Sequence, residues 1–389
     1  MPTRLANIGY LALKKQSDKN VAVIPDMYVP LYKESLMTKI NLDEDNPIAG
    51  NKFDIFQHIQ GMRDHTGELQ VLAEPITAGP ILDMILKHGS PSGGSDPYTH
   101  PFTLDTTDPN AYTLDVCKGQ VVCRFIGVEA YELSPEFSEN KMLFNVSVSA
   151  RKSFIVREID SVTSTEIIFK TNYDPTPTDG LLTTDIIRIQ KADGTYLDKA
   201  ISTVDSAVKI TLSASFTGVA NGDLVFLRPA TPSFSLLTPF LWSRTQFRLS
   251  YVDAAAALSA THTPLEQGTK WKLMHKMANN EGEKRSGSFD PAEFARTQGG
   301  MEFEIKRKFD EATDMNKFLT NQHLACVARH FSGDNHELRV TMNYLKFSEN
   351  PVNLNSSELI YAEGKMKAEY FDDDGQAFDI KLLNSQASI

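Results

Sequence analysis

Few residues in this chain combine a type and a spacing that could support chemistry. His323, His330 and His336 recur every six or seven residues, which superficially suggests a metal site. Zinc sites use HExxH or paired Cys/His spacings, and neither occurs here, so we interpret the three histidines as ordinary core or surface residues. The Asp-Asp-Asp-Gly run at 372–375 lacks the alternating ligands and the distant bidentate Glu of a calcium loop. We interpret that run as an acidic turn.

Nucleophiles and phosphate-binding loops give no stronger signal. Ser149 and Lys152 match Ser-x-x-Lys, but the companion motifs of a penicillin-binding enzyme are missing, so we attribute the match to chance. The sequence contains no Walker loop, GxGxxG or GxSxG motif. Cys117, Cys123 and Cys326 are too few for a disulfide framework, and we expect reduced, partly buried thiols. The sequence therefore predicts no enzyme, no cofactor and no bound metal.

The charge balance argues against a surface that adheres to nucleic acid. The formal net charge is −11, whereas such a surface needs clustered Lys and Arg. We interpret Lys270, Lys272 and Lys276 as the solvated face of a strand rather than a DNA track. No apolar run reaches the length of a membrane span, and the first ten residues lack a signal-peptide core. We expect a protein made in a cytosol that does not insert into a membrane.

Two stretches favour short helices. Over 77–88, Thr77 can serve as N-cap, Pro80 lies in the first turn and Gly89 can end the helix. One apolar stripe supports it, formed by Ile81, Leu82, Ile85 and Leu86. A weaker helical pattern lies at 315–319.

Most of the remaining pattern alternates with the period of a strand. Gly119-Gln120 separates two such runs and predicts a hairpin whose turn has Gly first. The strands predicted by alternation are 112–118, 121–129, 142–150, 270–277, 301–309, 338–347, 359–371 and 378–383. By contrast, 34–70 is predicted to be a long loop or arm, because it holds acidic, Pro and Gly punctuation.

The middle of the chain, 151–232, differs in composition from its flanks. It is richer in Thr and Asp, and turn signals separate five short strand patterns. Those five are 154–159, 166–171, 185–190, 207–213 and 223–228. They predict an inserted small all-β domain, Ig-like or a barrel. The flanking parts, 1–150 and 233–389, then form one discontinuous domain.

The two flanking parts carry motifs in a recognisable order. These are Gly-Glu-Leu at 67–69 with Pro75 and the helix before Gly89; Tyr-Thr-His-Pro-Phe-Thr-Leu at 98–104 with Tyr-Thr-Leu at 112–114; Arg-Phe-Ile-Gly-Val at 124–128; Pro-Phe-Leu-Trp at 239–242; and the strands at 301–309, 365–371 and 378–384. In this order they resemble the tail tube proteins of long-tailed bacteriophages. The resemblance covers most of 67–150 and 233–389.

The resemblance implies a mainly β fold, a tail-tube β-sandwich that forms a barrel on assembly, with one or two short flanking helices. Such subunits pack into rings, typically six-fold, that stack into a hollow tube for DNA ejection, and a long arm reaches the next ring. The candidate arm is 34–66, with contact residues Asp43, Glu44, Asp45, Phe53 and Phe56. The acids expected to face the lumen are Glu302, Glu304, Glu363 and Glu369, because they occupy polar faces of long strands.

The same resemblance implies the setting. The partners would be further copies of this chain and other tail proteins (tape measure, distal tail and terminator proteins), with double-stranded DNA passing without specific binding. The protein would belong to the virion tail and assemble in the host bacterial cytoplasm. We expect 151–232 on the outside, because a folded domain of that size would obstruct the lumen. An outward domain would collide with a contractile sheath, which favours a non-contractile tail.

Two alternatives remain open from the sequence. The first is another tail ring component, a distal tail or terminator protein on a related fold. The second, from a different class, is a carbohydrate-binding or hydrolytic β-protein, which would need a ligand-sized cleft with paired carboxylates or exposed aromatic residues.

Overall fold

A computed structural model describes residues 9–45, 57–104, 110–171, 174–235, 237–252, 261–277, 282–283, 285–286, 290–294, 296–308, 316, 318–333, 335–349, 352–353, 361–370 and 376–389. Strands make up 57% of the structure, so the prediction of a mainly β protein is confirmed. No described helix is long and apolar enough to cross a membrane.

The described elements are numbered in chain order. The first part contains β1 (Tyr10–Lys15), β2 (Met27–Val29), β3 (Leu31–Glu34), β4 (Met37–Asp45), β5 (Gln57–Leu72), α1 (Ala78–Asp83), β6 (Lys87–His88), β7 (Tyr98–Thr103), β8 (Tyr112–Lys118), β9 (Val121–Ser138) and β10 (Lys141–Ser149). The middle contains β11 (Lys152–Phe154), β12 (Val156–Val162), β13 (Glu166–Phe169), β14 (Ile186–Gln190), β15 (Tyr196–Ser206), β16 (Lys209–Leu212) and β17 (Leu224–Leu227). The last part contains β18 (Gln246–Val252), β19 (Lys270–Met277), β20 (Arg296–Lys308), β21 (His323–Phe331), β22 (Glu337–Glu349), β23 (Val352–Asn353), β24 (Tyr361–Ala368) and β25 (Asp379–Asn384).

A broad antiparallel sheet forms one side of the molecule. Its neighbours run in the order β4–β5–β10–β9–β19–β20–β24–β22–β21–β18. One face is apolar because side chains alternate along each strand. Phe144, Trp271 and Phe303 from three of its strands are fully buried in the first hydrophobic core.

A smaller central sheet covers the other side of that core. It consists of β2, β1, β8 and the first half of β9, joined by β11 and β17. Its side chains alternate between two cores: Leu11 and Leu13 enter the first core, whereas Tyr10 and Ala12 enter a second. The central sheet is therefore buried on both faces.

Strand β9 belongs to both sheets. Its residues before Gly127 pair with β8, and its later residues pair with β10 and β19. Gly127 has φ +65°, and a Cβ there would lie 2.5 Å from the carbonyl oxygen of Lys19. Only glycine fits this position where the strand passes from one sheet to the other.

The middle of the chain closes on itself. Strands β12, β13, β16, β15, β14 and β17 pair in that order, and β17 pairs back with β12, all antiparallel. The result is a six-stranded barrel whose interior, with Ile187, Ile189 and Val225, forms the second core. The sequence pattern missed β15, whose exposed residues obscure the alternation.

The predicted end of the first helix and the predicted capping role of Thr77 need correction. The helix predicted over 77–88 ends at Asp83, and Lys87–His88 instead pairs with β7. The Thr77 side chain makes no capping hydrogen bond to the helix. The four stripe residues, Ile81, Leu82, Ile85 and Leu86, are nevertheless buried as expected. In the second predicted helix, Asn316, Phe318 and Leu319 are helical, and Met315 lies outside the described residues.

The stretch 34–70 is also not a loop where the structure describes it. Strands β4 and β5 pair from Met37 with Thr66 to Asp45 with Gln57. They form a long β-hairpin, hereafter the arm hairpin. Strand β5 contains Gly61, Gly67 and many polar residues, so it lacks the alternation of apolar and polar residues from which a strand is predicted.

Arg124 joins the central sheet to the barrel. Its guanidinium donates two hydrogen bonds to Asp115, at 2.7 and 2.9 Å, and one to Asp185 at 2.6 Å. Burial lowers the pKa of an arginine, but the two carboxylates outweigh burial and raise the pKa of Arg124 above its usual value.

We expect Arg124→Leu to lower the free energy of unfolding by about 3–5 kcal/mol, because two buried carboxylates lose their shared cation. Arg188→Leu is the matched control, since Arg188 makes the same paired bonds to Asp198 at a more exposed site. It should cost about 1 kcal/mol or less. Urea unfolding measures both, and equal losses would contradict this account.

Candidate assembly surfaces

The outward face of the broad sheet is polar across six neighbouring strands. We call this surface, from β5 through β10, β9, β19 and β20 to β24, the polar face. Its charged and amide residues alternate with the core residues of the same strands: Glu68, Gln70, Asn145, Glu132, Glu136, Lys270, Lys272, Glu302, Glu304, Lys306, Glu363, Lys365 and Lys367.

Five lysines of the polar face lie beside a carboxylate, whereas Lys308 at the end of β20 is exposed and forms no ion pair with a described residue. The distances from Nζ to the nearest carboxylate oxygen are 2.8 Å for Lys272 and Glu132, 3.1 Å for Lys270 and Glu304, 3.1 Å for Lys306 and Glu363, 3.5 Å for Lys365 and Glu349, and 3.6 Å for Lys367 and Glu302. The partners come from adjacent strands, where opposite charges stabilise the pairing. The charges of these five lysines are therefore partly compensated by neighbouring carboxylates.

At the β5–β10–β9 end the polar face is more acidic. Glu136 accepts hydrogen bonds from the amides of Gln70 and Asn145, at 3.2 and 3.0 Å. Two shallow grooves of about 640 and 590 Å³ adjoin at Glu136 and Asn145. Sequence reasoning missed Glu68, Glu132 and Glu136, although their alternation with Leu69 and Leu133 was a usable signal.

The arm hairpin extends beyond the broad sheet. Strand β5 pairs with β10 from Thr66 onward, and in the described part of the chain its residues 57–65 have β4 as their only strand partner. Met37, Ile40 and Leu42 on β4 are exposed. An isolated two-stranded hairpin is marginally stable in water, so this one gains from further contacts.

The predicted contact residues fall on this hairpin in part. Asp43, Glu44 and Asp45 form the outer end of β4, and their side chains are not described. Phe53 and Phe56 lie outside the described residues. Their contact role stays a prediction.

Of the predicted lumen acids, three share one surface. Glu302, Glu304 and Glu363 belong to the polar face, each with a lysine partner. Glu369 follows β24 and instead lies 3.2 Å from the ring of His323. Their position in a lumen also stays a prediction.

The histidines, the cysteines and the Ser149/Lys152 pair have separate environments. His323 stacks on Tyr344, His336 lies 3.8 Å from Asp96, and His330 is buried in the first core. Lys152 binds Asp179. In the residues that the structure describes, no three potential metal ligands cluster. The three cysteines are buried and form no disulfide with one another. Residues 372–375 lie outside the described residues.

Neither protein-family models nor curated proteins gave a match to this chain.

His330 is neutral in the folded protein. Trp271 Nε1 donates to its Nε2 at 3.2 Å, so Nδ1 carries the proton and faces Thr245 Oγ1 at 3.1 Å. Burial lowers the pKa of His330 to about 3. A depressed histidine pKa gives stability that is complete above the unfolded pKa, about 6.5, and is lost as the pH falls towards 3.

We therefore expect the pH dependence of stability to weaken in His330→Gln, which keeps hydrogen-bonding groups but does not titrate. Between pH 6.5 and 4, His330 should account for about 3 kcal/mol of lost stability in the wild type. Urea unfolding of both proteins at each pH isolates this contribution, because His275 and Glu74 titrate alike in both. If the free energy of unfolding changed with pH in the same way in both proteins, the lowered pKa of His330 would be contradicted.

Proposed function

We propose that this chain is the structural subunit of a phage tail tube, which closes into stacked rings, hexameric by the family resemblance, around a conduit for DNA. The observation that carries the proposal is the polar face. It is a wide, charged surface on which five lysines lie beside neighbouring carboxylates.

A conduit for DNA must not offer free cations. Every unpaired Lys or Arg facing the bore would contact phosphate and release counterions, which gives salt-dependent adhesion. On the polar face Lys270, Lys272, Lys306, Lys365 and Lys367 already have a carboxylate within 4 Å. We therefore assign the polar face to the bore.

The order of layers supports an outer position for the middle of the chain. From the polar face inwards come the broad sheet, the first core, the central sheet, the second core and the barrel. The barrel and the polar face thus lie on opposite sides of the central sheet. With the polar face at the bore, the inserted domain 151–232 projects outwards, as a non-contractile tail would allow.

The arm hairpin is the element that would reach the next ring. It extends past the sheet and exposes apolar side chains that are unusual on a strand end. Burying them against another ring would add favourable free energy, about 1.5–3 kcal/mol for each large apolar side chain.

We expect Met37→Ser/Leu42→Ser to impair ring stacking by about 3 kcal/mol or more per subunit, because two exposed apolar contacts of the arm are lost. The stability of the isolated subunit should change by less than about 1 kcal/mol, since both residues are exposed. Sedimentation and negative-stain microscopy of concentrated protein measure the assembled fraction.

The control for this variant is Val21→Ser/Ile24→Ser. Val21 and Ile24 are 53% and 44% exposed, compared with 59% and 58% for Met37 and Leu42, but they lie outside the arm. The control should form tubes like the wild type. A wild-type protein that stays monomeric under all conditions would refute the proposed function, and full stacking by the arm variant would refute the role of the arm.

Cysteine labelling tests which surface faces the bore. Glu304 pairs with Lys270 on the polar face, and Glu158 pairs with Lys170 on the barrel, with carboxylate side chains 35% and 43% exposed. In the subunit, Glu304→Cys and Glu158→Cys should both react with a maleimide carrying a bulky polymer.

After assembly, we expect labelling of Glu304→Cys to fall at least tenfold, because the polymer cannot enter the bore, while Glu158→Cys still reacts. The native cysteines are buried and give a low background. The opposite pattern, a reactive Glu304→Cys and a protected Glu158→Cys, would place the barrel inside and overturn the assignment.

A further inference from the structure

A buried polar cluster holds the base of the arm hairpin, and its members come from three separate parts of the chain. Arg63 and His65 lie on β5, Asp174 follows β13, and Asp290 precedes β20. All four side chains are largely shielded from solvent, with exposed fractions between 0% and 15%. Charges are rarely buried unless each has a partner, so this arrangement needs a reason.

Asp174 is shared by two arginines. Its Oδ2 accepts hydrogen bonds from Arg157 at 2.7 Å and from Arg63 at 3.2 Å. Its Oδ1 accepts one from the backbone N–H of Thr176 at 3.1 Å, which fixes the carboxylate in its own loop. Arg157 is anchored in turn by the carbonyl oxygens of Ser153 and Pro177.

The hairpin side of the cluster is equally well connected. His65 Nε2 lies 3.1 Å from Asp290 Oδ1, and its Nδ1 lies 2.9 Å from Thr38 Oγ1. Thr38 on β4 also reaches Ser153 Oγ at 2.7 Å. Burial raises the pKa of Asp290, but the bond to His65 and the charge of Arg63 outweigh it, so the pKa of Asp290 is lowered. Both strands of the hairpin are thus tied to the cluster.

These contacts constrain the direction of the hairpin. Arg63 and Arg157 repel each other, and the repulsion adds to burial in lowering the pKa of Arg157. Asp174 stays bonded to Arg157 within its own segment, and it compensates for the charge of Arg63 only when the hairpin lies where Arg63 can reach it. A buried charge that loses its partner costs several kcal/mol, so other directions of the hairpin are disfavoured.

We propose that residues 152–171 and 174–179 form a socket that orients the arm hairpin, with Asp174 as the positioning residue between Arg63 and Arg157. The middle of the chain then has a structural role for the arm hairpin, because removing 152–232 would also remove Ser153, Arg157 and Asp174. This orienting role belongs to the isolated subunit and does not depend on the proposed tube.

Hydrogen–deuterium exchange of the full chain tests this. Asp174→Asn keeps the size of the side chain but removes the carboxylate that both arginines share, which leaves Arg63 with Asp290 at 3.6 Å. We expect the amides of 37–42 and 61–65 to exchange at least tenfold faster than in the wild type, while those of β14 stay within twofold. The local readout separates a positioning role from a general loss of stability.

Asp198→Asn is the matched control, because Asp198 also forms a paired bond with an arginine of the same region but does not touch the hairpin. It should leave hairpin exchange within twofold of the wild type. Hairpin exchange that is unchanged in Asp174→Asn, or accelerated equally in both variants, would overturn the proposal.

Arg63→Gln removes the hairpin's side chain from the same Arg63–Asp174 ion pair. It should also accelerate exchange in the hairpin, and the double variant Arg63→Gln/Asp174→Asn should be no faster than the faster single variant, because both remove one interaction. If the double variant exchanged faster by the product of the two single-variant accelerations, the two residues would act independently and their pairing would be refuted. If Asp174→Asn does not fold, Arg63→Gln alone decides: local acceleration supports the socket, and its absence refutes it.

Discussion

The burial of the central sheet on both faces is the constraint on which the rest of the structure depends. In β1, neighbouring residues alternate between the two cores: Leu11 and Leu13 pack in the first, Tyr10 and Ala12 in the second. A shift by one residue would exchange every side chain between the cores, so the register is strongly specified. The barrel and the broad sheet are held on opposite sides by the same strands, which gives the molecule two dissimilar outer surfaces.

Buried charges occur where these layers join. Arg124 links the central sheet to the barrel, Asp174 links the barrel region to the arm hairpin, and Glu129 lies among Lys19 and Arg151 on the side towards the broad sheet. Apolar contacts hold layers together without fixing their relative orientation. Ion pairs are directional, and breaking them in the interior is costly. Each junction between two layers therefore has one preferred geometry.

Local alternation made much of the β structure predictable, and long-range pairing explains what it missed. The hairpin around Gly119 was predicted because its signal lies in adjacent residues: the bounds of β8 agree with the prediction, whereas β9 continues from the predicted end at Glu129 to Ser138. The helix over 77–88 was predicted too long, because His88 pairs with Phe102, a contact that no local pattern contains. The same limit applies to the surfaces: Lys272 was interpreted as a solvated residue, but its partner Glu132 is distant in sequence.

The pairing on the polar face changes how the net charge should be interpreted. A charge of −11 suggests a bore that repels DNA, but on this face acids and lysines lie side by side. Fields of adjacent opposite charges cancel over a few ångströms, and salt screens what remains within about 8–10 Å. A tube lined by the polar face would therefore act less by repulsion than by offering few unpaired cations to phosphate. In such a tube, passage without adhesion would depend on these lysines remaining paired, which would make each carboxylate partner more important than the total charge.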